Sequence, residues 1–158
     1  MTEQDKRFME RAIELARRGV AANDGGPFGA VVVRDGEIVG EGNNRVTSTN
    51  DPTAHAEIIA IRNACQRLGT FQLDGCLIYT SCEPCPMCLG AIYWARPKGV
   101  FYACTRDDAA KIGFDDRFIY EELQKANVER EMVLVSIMRD EALAVFNTWS
   151  AKSDKIAY

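Results

Sequence analysis

CLIYTSCEPCPMCLGAIYWARPKGVFYA, residues 76–103, reads as a β-rich run (Cys76 to Ser81), a proline- and cysteine-bearing loop, a helix from Pro86 to Ala95 halted by Pro97, and a second apolar strand from Val100 to Ala103. The same alternation extends outward. Residues 3–18 carry Phe8, Ile13, Leu15 and Ala16 among many charges, one apolar stripe on a solvated helix that Gly19 is expected to stop. Gly29 to Arg34 and Glu37 to Glu41 flank Asp35-Gly36, a hairpin signal because both turn residues tolerate positive φ. The polar loop 43–53 ends in Thr53, read as an N-cap, and Ala56 to Leu68 follows as a helix with Ala54, Ile58, Ile61, Cys65 and Leu68 on one face. Residues 117–126 are read as helix, Met132 to Met138 as a continuous β-prone run, and Glu141 to Trp149 as a closing helix. Strands alternating with helices predict a three-layer α/β/α domain, a central mixed five-stranded sheet with helices on both faces.

Size and charge narrow the function. At 158 residues the chain suits one domain, 1–158, with 150–158 as a C-terminal tail. No apolar run is long enough for a membrane span, and MTEQDKRFMERA lacks the apolar stretch of a secretory signal, so a soluble, cytoplasmic protein with no membrane partner is expected. Six cysteines in such a chain are read as reduced thiols. With 19 Lys and Arg against 23 Asp and Glu, net −4, the basic field of a nucleic-acid binder is absent, and a small-molecule ligand becomes the default.

The loop at 82–88 carries the chemistry. Pro86 suits the first turn of a helix, which would bring Cys85 and Cys88 to one face at a helix N-terminus, where the dipole favours thiolates. A catalytic zinc needs a third protein ligand and a position left for water, and the chain has one histidine, His55, at the entrance of the other helix. Glu57, two residues on, completes H-x-E followed by P-C-x-x-C, a pattern that matches the signature of zinc deaminases. In that arrangement one zinc per subunit would be held by His55, Cys85 and Cys88, and Glu57 would shuttle protons beside it. The alternative is a closed structural site that adds Cys82 as fourth ligand; Pro84 separates Cys82 from the helix, which favours a packing role. Cys65, Cys76 and Cys104 are read as small buried hydrophobes.

At these residues the chain resembles the cytidine and nucleotide deaminase superfamily, and along most of its length it is similar to the bacterial guanine deaminases within it. The resemblance rests on GGPFGAVVV (25–33), TNDPTAHAEI (49–58), YTSCEPCPMCLGAIYWARP (79–97) and GFDDRFIY (113–120). A histidine in the H-x-E position distinguishes it from the homotetrameric cytidine deaminases, which have cysteine there. The resemblance implies a cytidine deaminase-like fold and attack at C2 of guanine to give xanthine and ammonia. It further implies that Asn44 and the backbone amide of Ala56 contact the base, that Phe28 and Trp94 line its pocket, and that the Asp116 carboxylate serves recognition and proton movement. By the same resemblance Tyr158 reaches an active site through a homodimer with exchanged C-terminal segments. Read from the residues alone, Asn44 could only shape a turn, Phe28 and Trp94 could be core aromatics, Asp116 a helix cap and Tyr158 a frayed end.

The rival activities are a guanosine or other small aminopurine or aminopyrimidine deaminase, a tRNA adenosine deaminase and a non-catalytic zinc module. The tRNA enzyme should carry a basic final helix, whereas residues 140–158 hold Lys152 and Lys155 against Asp140, Glu141 and Asp154. A structural zinc module has no use for Glu57.

Overall fold

The computed structural model describes residues 2–157. The chain forms two compact units, the first ending at Asp116 and the second beginning at Arg117.

The first unit runs α1 (Glu3–Ala21), β1 (Gly29–Arg34), β2 (Glu37–Asn43), α2 (Val46–Thr49), α3 (Ala56–Leu68), β3 (Leu77–Cys82), α4 (Pro86–Ala95), β4 (Gly99–Cys104) and α5 (Arg106–Lys111). Its sheet has the order β2-β1-β3-β4. β1 pairs antiparallel with both β2 and β3, and β3 pairs parallel with β4, so the sheet is mixed. The β1–β2 turn is made by Asp35 and Gly36, both at positive φ (51° and 81°), as their side chains allow.

Strand alternation divides the core into two layers. Ala30, Val32, Cys76 and Ile78 pack with Ala56, Ala60 and Ala64 of α3 and Ile92 and Ala95 of α4. Val31, Val33 and Tyr79 pack with Phe8 of α1 on the opposite face. β1 is therefore buried on both sides, which explains the unbroken apolar run Ala30–Val33. Tyr79 closes the second layer by donating its hydroxyl to Asp5 Oδ1 at 2.7 Å.

α1 does not stop at Gly19 but continues to Ala21. A Cβ on Gly19 would lie 2.6 Å from Asn43 Nδ2, so this glycine serves a close approach within the helix and not a cap. The buried face of α3 is centred on Ala56, Ala60 and Ala64, with the larger Ile61, Cys65 and Leu68 flanking it. The cause lies on β2, where a Cβ on Gly40 or Gly42 would come within 2.3 Å of the carbonyl oxygens of Ala60 and Ala56. Helix and strand touch backbone to backbone, leaving room there only for alanine. Cys65 is half-buried and Cys104 exposed, so of the three expected buried thiols only Cys76 is fully so.

The second unit contains α6 (Arg117–Gln124), a 3₁₀ turn (Asn127–Glu129) and α7 (Arg139–Ala151). Among the described residues, the β-prone run 132–138 forms no strand, so the sheet has four strands instead of five. A strand needs a neighbour for its N–H and C=O groups, and the described residues of this unit contain no other strand. Met132, Val133, Val135 and Ile137 are exposed.

Candidate functional site

Two helix beginnings meet in the first unit. His55, not Thr53, occupies the N-cap of α3, in extended conformation (φ −72°, ψ 156°) and without a side-chain cap bond. Thr53 instead donates its amide and hydroxyl to Asp51 Oδ1. At the other beginning Cys85 is the N-cap of α4; its Sγ accepts the Cys88 N–H, and Pro86 takes the first turn, where its missing N–H costs nothing. His55, freed from capping, lies with its Nδ1 3.5 Å from Cys85 Sγ and 3.4 Å from Cys88 Sγ.

These donors can be tested against zinc. Bond lengths of ~2.1 Å to nitrogen and ~2.3 Å to sulfur at a tetrahedral angle require N···S separations of about 3.6 Å. The observed 3.4 and 3.5 Å fit. All three ligand atoms lie within 4.8 Å of one another. Cys82 is not among them: it is buried, its thiol donates to the Thr105 carbonyl at 3.6 Å, and burial pushes its pKa up to about 11. The arrangement is thus three protein ligands with a fourth position not supplied by Cys82, the pattern of an open site.

Protons are divided unevenly between the two thiols. Hydrogen bonding from Cys88 and His55 holds Cys85 down at about 4, a thiolate at neutral pH. Its partner Cys88 is raised, because its hydrogen sits in the bond to Cys85 and because it is buried beside Glu57. The thiolate also raises His55 above its ordinary 6.5.

Glu57 sits in the first turn of α3 with its carboxylate buried. Oε1 accepts the Thr80 hydroxyl at 3.3 Å, and Oε2 lies 3.4 Å from Cys88 Sγ. Burial raises its pKa, and the nearby Cys85 charge adds to the rise.

Asn44 is buried, and its Oδ1 accepts the N–H groups of Gly26 (3.1 Å) and Val46 (3.2 Å). Two amide donors fix the oxygen, so the Nδ2 end is the side to offer outward. Gly25 permits the approach, since a Cβ there would lie 2.3 Å from Asn44 Oδ1. Phe28 packs against the α3/α4 core layer and meets Phe114 edge to face, centroids 5.0 Å apart at 86°. Ala56 is fully buried, and its N–H is one of the first-turn amides that a helix leaves without an internal acceptor. Asp116 is half-buried, and its carboxyl is raised by burial and by the charge of Cys85. Trp94 lies on the outer side of α4, 65% exposed, and Tyr158 falls outside the described residues. Thr80, bonded to Glu57, and Phe114, packed edge to face on Phe28, make contacts that the sequence reading does not single out. Phe114 lies in the GFDD stretch beside Asp116, a signal that points to it; Thr80 reads there only as a β-branched strand residue.

Two thiols at one helix N-terminus, an imidazole at another and a buried carboxylate against them define a hydrolytic zinc site of the deaminase kind, and the chain belongs to that family. Residues 2–104 match the cytidine and deoxycytidylate deaminase zinc-binding region. The guanine deaminase of Bacillus subtilis (strain 168) is 58% identical over 151 residues, 96% of this chain and 97% of its own length. The X-ray structure of guanine deaminase from that organism superposes with a TM-score of 0.95 at 56% identity, covering 100% of this chain and 99% of its own. More distantly, the protein NE0047 in complex with 2,6-diaminopurine matches at TM-score 0.68 and 32% identity, covering 100% of this chain and 86% of its own. A tRNA-specific adenosine deaminase from Haemophilus influenzae is 36% identical over 152 residues, 96% of this chain and 86% of its length. The fold is that of the cytidine deaminases, and the cofactor is zinc.

Proposed function

We infer that this chain is a guanine deaminase, replacing the exocyclic amine at C2 of guanine by oxygen from water to give xanthine and ammonia. The observation that carries the reading is the Glu57 carboxylate, buried 3.4 Å from Cys88 Sγ beside the His55–Cys85–Cys88 group, in a chain 58% identical to a guanine deaminase.

His55, Cys85 and Cys88 would hold the metal. Zinc in such a site supplies a Lewis acid that lowers the pKa of water toward ~7. Glu57 takes a proton from water and passes it to a ring nitrogen as C2 is attacked, then takes the second proton from the same oxygen and delivers it to the departing amine as the C–N bond breaks. Burial raises its pKa above the ordinary carboxylate value, which makes it a better proton acceptor than an exposed glutamate. Asn44 presents Nδ2 as a donor and so favours a base with a carbonyl oxygen over one with a second amine at that place. Ala56 N–H adds a backbone donor. Phe28, braced by Phe114, forms an apolar wall for the base, and Asp116 assists recognition and proton movement.

The reading includes a homodimer. Phe101 and Tyr102 on the edge strand β4, Trp94 on α4, and Met132, Val133, Val135, Ile137, Phe146 and Trp149 are all exposed in a single chain. Apolar surface on this scale is the mark of an interface. Pairing of residues 132–138 with β4 of a second copy would supply the fifth strand and bring the tail 150–158, with Tyr158, and Trp94 to a neighbour's pocket. A light-scattering mass of one chain would remove this part of the reading. The site's free thiols suit the reducing cytoplasm, and no helix among the described residues is long and apolar enough to cross a membrane.

Ammonia release by the zinc-loaded protein, with guanine, guanosine, adenine, cytosine, cytidine and a tRNA anticodon stem-loop compared side by side, tests the function. Release from guanine is expected. Release from a nucleoside or RNA and none from guanine would overturn the substrate while keeping the zinc chemistry.

A further inference from the structure

Thr80 lies on β3, which is paired on both sides, by β1 and by β4. Alternation sets it on the same face as Cys76 and Ile78, among the apolar residues that receive α3 and α4. It is 1% exposed. Valine has the same shape and would fill this place without a polar atom, so the hydroxyl is costly there unless it is bonded. The bond it makes is to Oε1 of Glu57, 23 residues away in sequence, at 3.3 Å.

We propose that Thr80 is a positioning residue for proton transfer: it anchors one oxygen of Glu57 to the sheet so that the other stays turned toward the zinc donors. The two oxygens have separate neighbours, Oε1 on Thr80 and Oε2 at 3.4 Å from Cys88 Sγ. The terminal torsion of a glutamate is broad, so burial alone does not set which way its carboxylate plane faces. Thr80 can set it, because a β-branched side chain on a doubly paired strand has a restricted χ1 and its hydroxyl cannot drift. A carboxylate that must meet water, ring nitrogen and leaving amine in turn depends on such orientation, and small misplacements are expensive in rate.

The proposal rests on Glu57 as the proton carrier in guanine deamination, and the test separates the two. Thr80→Val and Thr80→Ser are made in the full chain, loaded with zinc and assayed on guanine, with zinc content and the urea midpoint of the metal-free proteins measured alongside. Thr80→Val is expected to lower kcat about tenfold to a hundredfold with KM within about twofold and zinc content unchanged, the urea midpoint falling somewhat because the buried Oε1 of Glu57 loses its donor. Thr80→Ser, which keeps the hydroxyl and loses a methyl, is expected to recover most of the kcat although its urea midpoint also falls below that of the wild type. A Thr80→Val enzyme within about twofold of wild-type kcat would overturn the proposal. So would equal kcat losses in the Val and Ser variants, or a loss that tracks zinc content or the urea midpoint, since each would make Thr80 a packing residue. Failure of the wild type itself to turn over guanine would instead refute the functional reading, and this proposal with it.

Discussion

Glu57→Gln isolates the proton chemistry from the metal. The substitution preserves shape: the amide oxygen can still accept the Thr80 hydroxyl, and the amide nitrogen falls where Oε2 faces Cys88 Sγ. The His55, Cys85 and Cys88 donors are untouched, so zinc content should remain at one per chain. What disappears is the one group placed to carry both of water's protons in succession, and its burial keeps bulk water from substituting. A positioned acid–base group contributes about 10²–10⁴ in rate, and one serving several steps belongs at the upper end, a loss of about 4–5.5 kcal/mol of transition-state stabilisation. Steady-state kinetics on guanine, with zinc measured on the same samples, should show kcat down by about 10³–10⁴ and KM little changed. A variant that kept more than a tenth of wild-type kcat would refute the assignment. A stability signature accompanies the kinetic one. The folded carboxyl keeps its proton to higher pH than the ordinary 4.5, so between the unfolded and folded pKa values the folded state binds the extra proton, and stability falls as pH rises through that window. Glutamine cannot ionise; the metal-free variant should therefore melt higher than wild type at pH 8, with the difference vanishing below about pH 4.

Gly42→Ala would place a Cβ 2.3 Å from the Ala56 carbonyl oxygen and push the start of α3, with His55 and Glu57, off the sheet. A loss of about 1–3 kcal/mol in urea unfolding is expected, with weakened zinc retention under chelator challenge. Unchanged zinc retention would mean that the helix start is not held by this contact. Zinc binding at pH 8 should release at least one proton per metal, the one held by Cys88, since Cys85 with its pKa at about 4 is already a thiolate. Calorimetry in two buffers of different ionisation enthalpy measures the number, and none released would contradict the proton assignment.

Local chemistry is legible in the chain where near neighbours decide it. The α4 boundaries Pro86–Ala95 follow from a proline at the first turn and another, Pro97, just past the end. The hairpin follows from Asp35 and Gly36. Where a distant surface decides, the pattern misleads: Gly19 resembles a helix stop because its contact, Asn43, lies 24 residues on, and the alanine face of α3 cannot be separated from its isoleucines without knowing that glycines face it. Residues 132–138 have the composition of a strand, but a strand is a pairing and not a composition. Thr80 carries no mark along the chain because it matters only through a contact with another element.

The donors themselves are written in the chain: one imidazole, two thiols three residues apart at a helix start, and one carboxylate two residues from the imidazole. Those follow from residue type and spacing along a single helix turn. Folding settles the rest, namely that the imidazole meets both sulfurs at 3.4–3.5 Å, that Cys82 turns away, and that the carboxylate is anchored and dry. Spacing along the chain cannot show this, because it depends on backbone packing between elements: α3 can settle on β2 because Gly40 and Gly42 have no side chains, and that approach carries His55 to thiols 30 and 33 residues further along the chain.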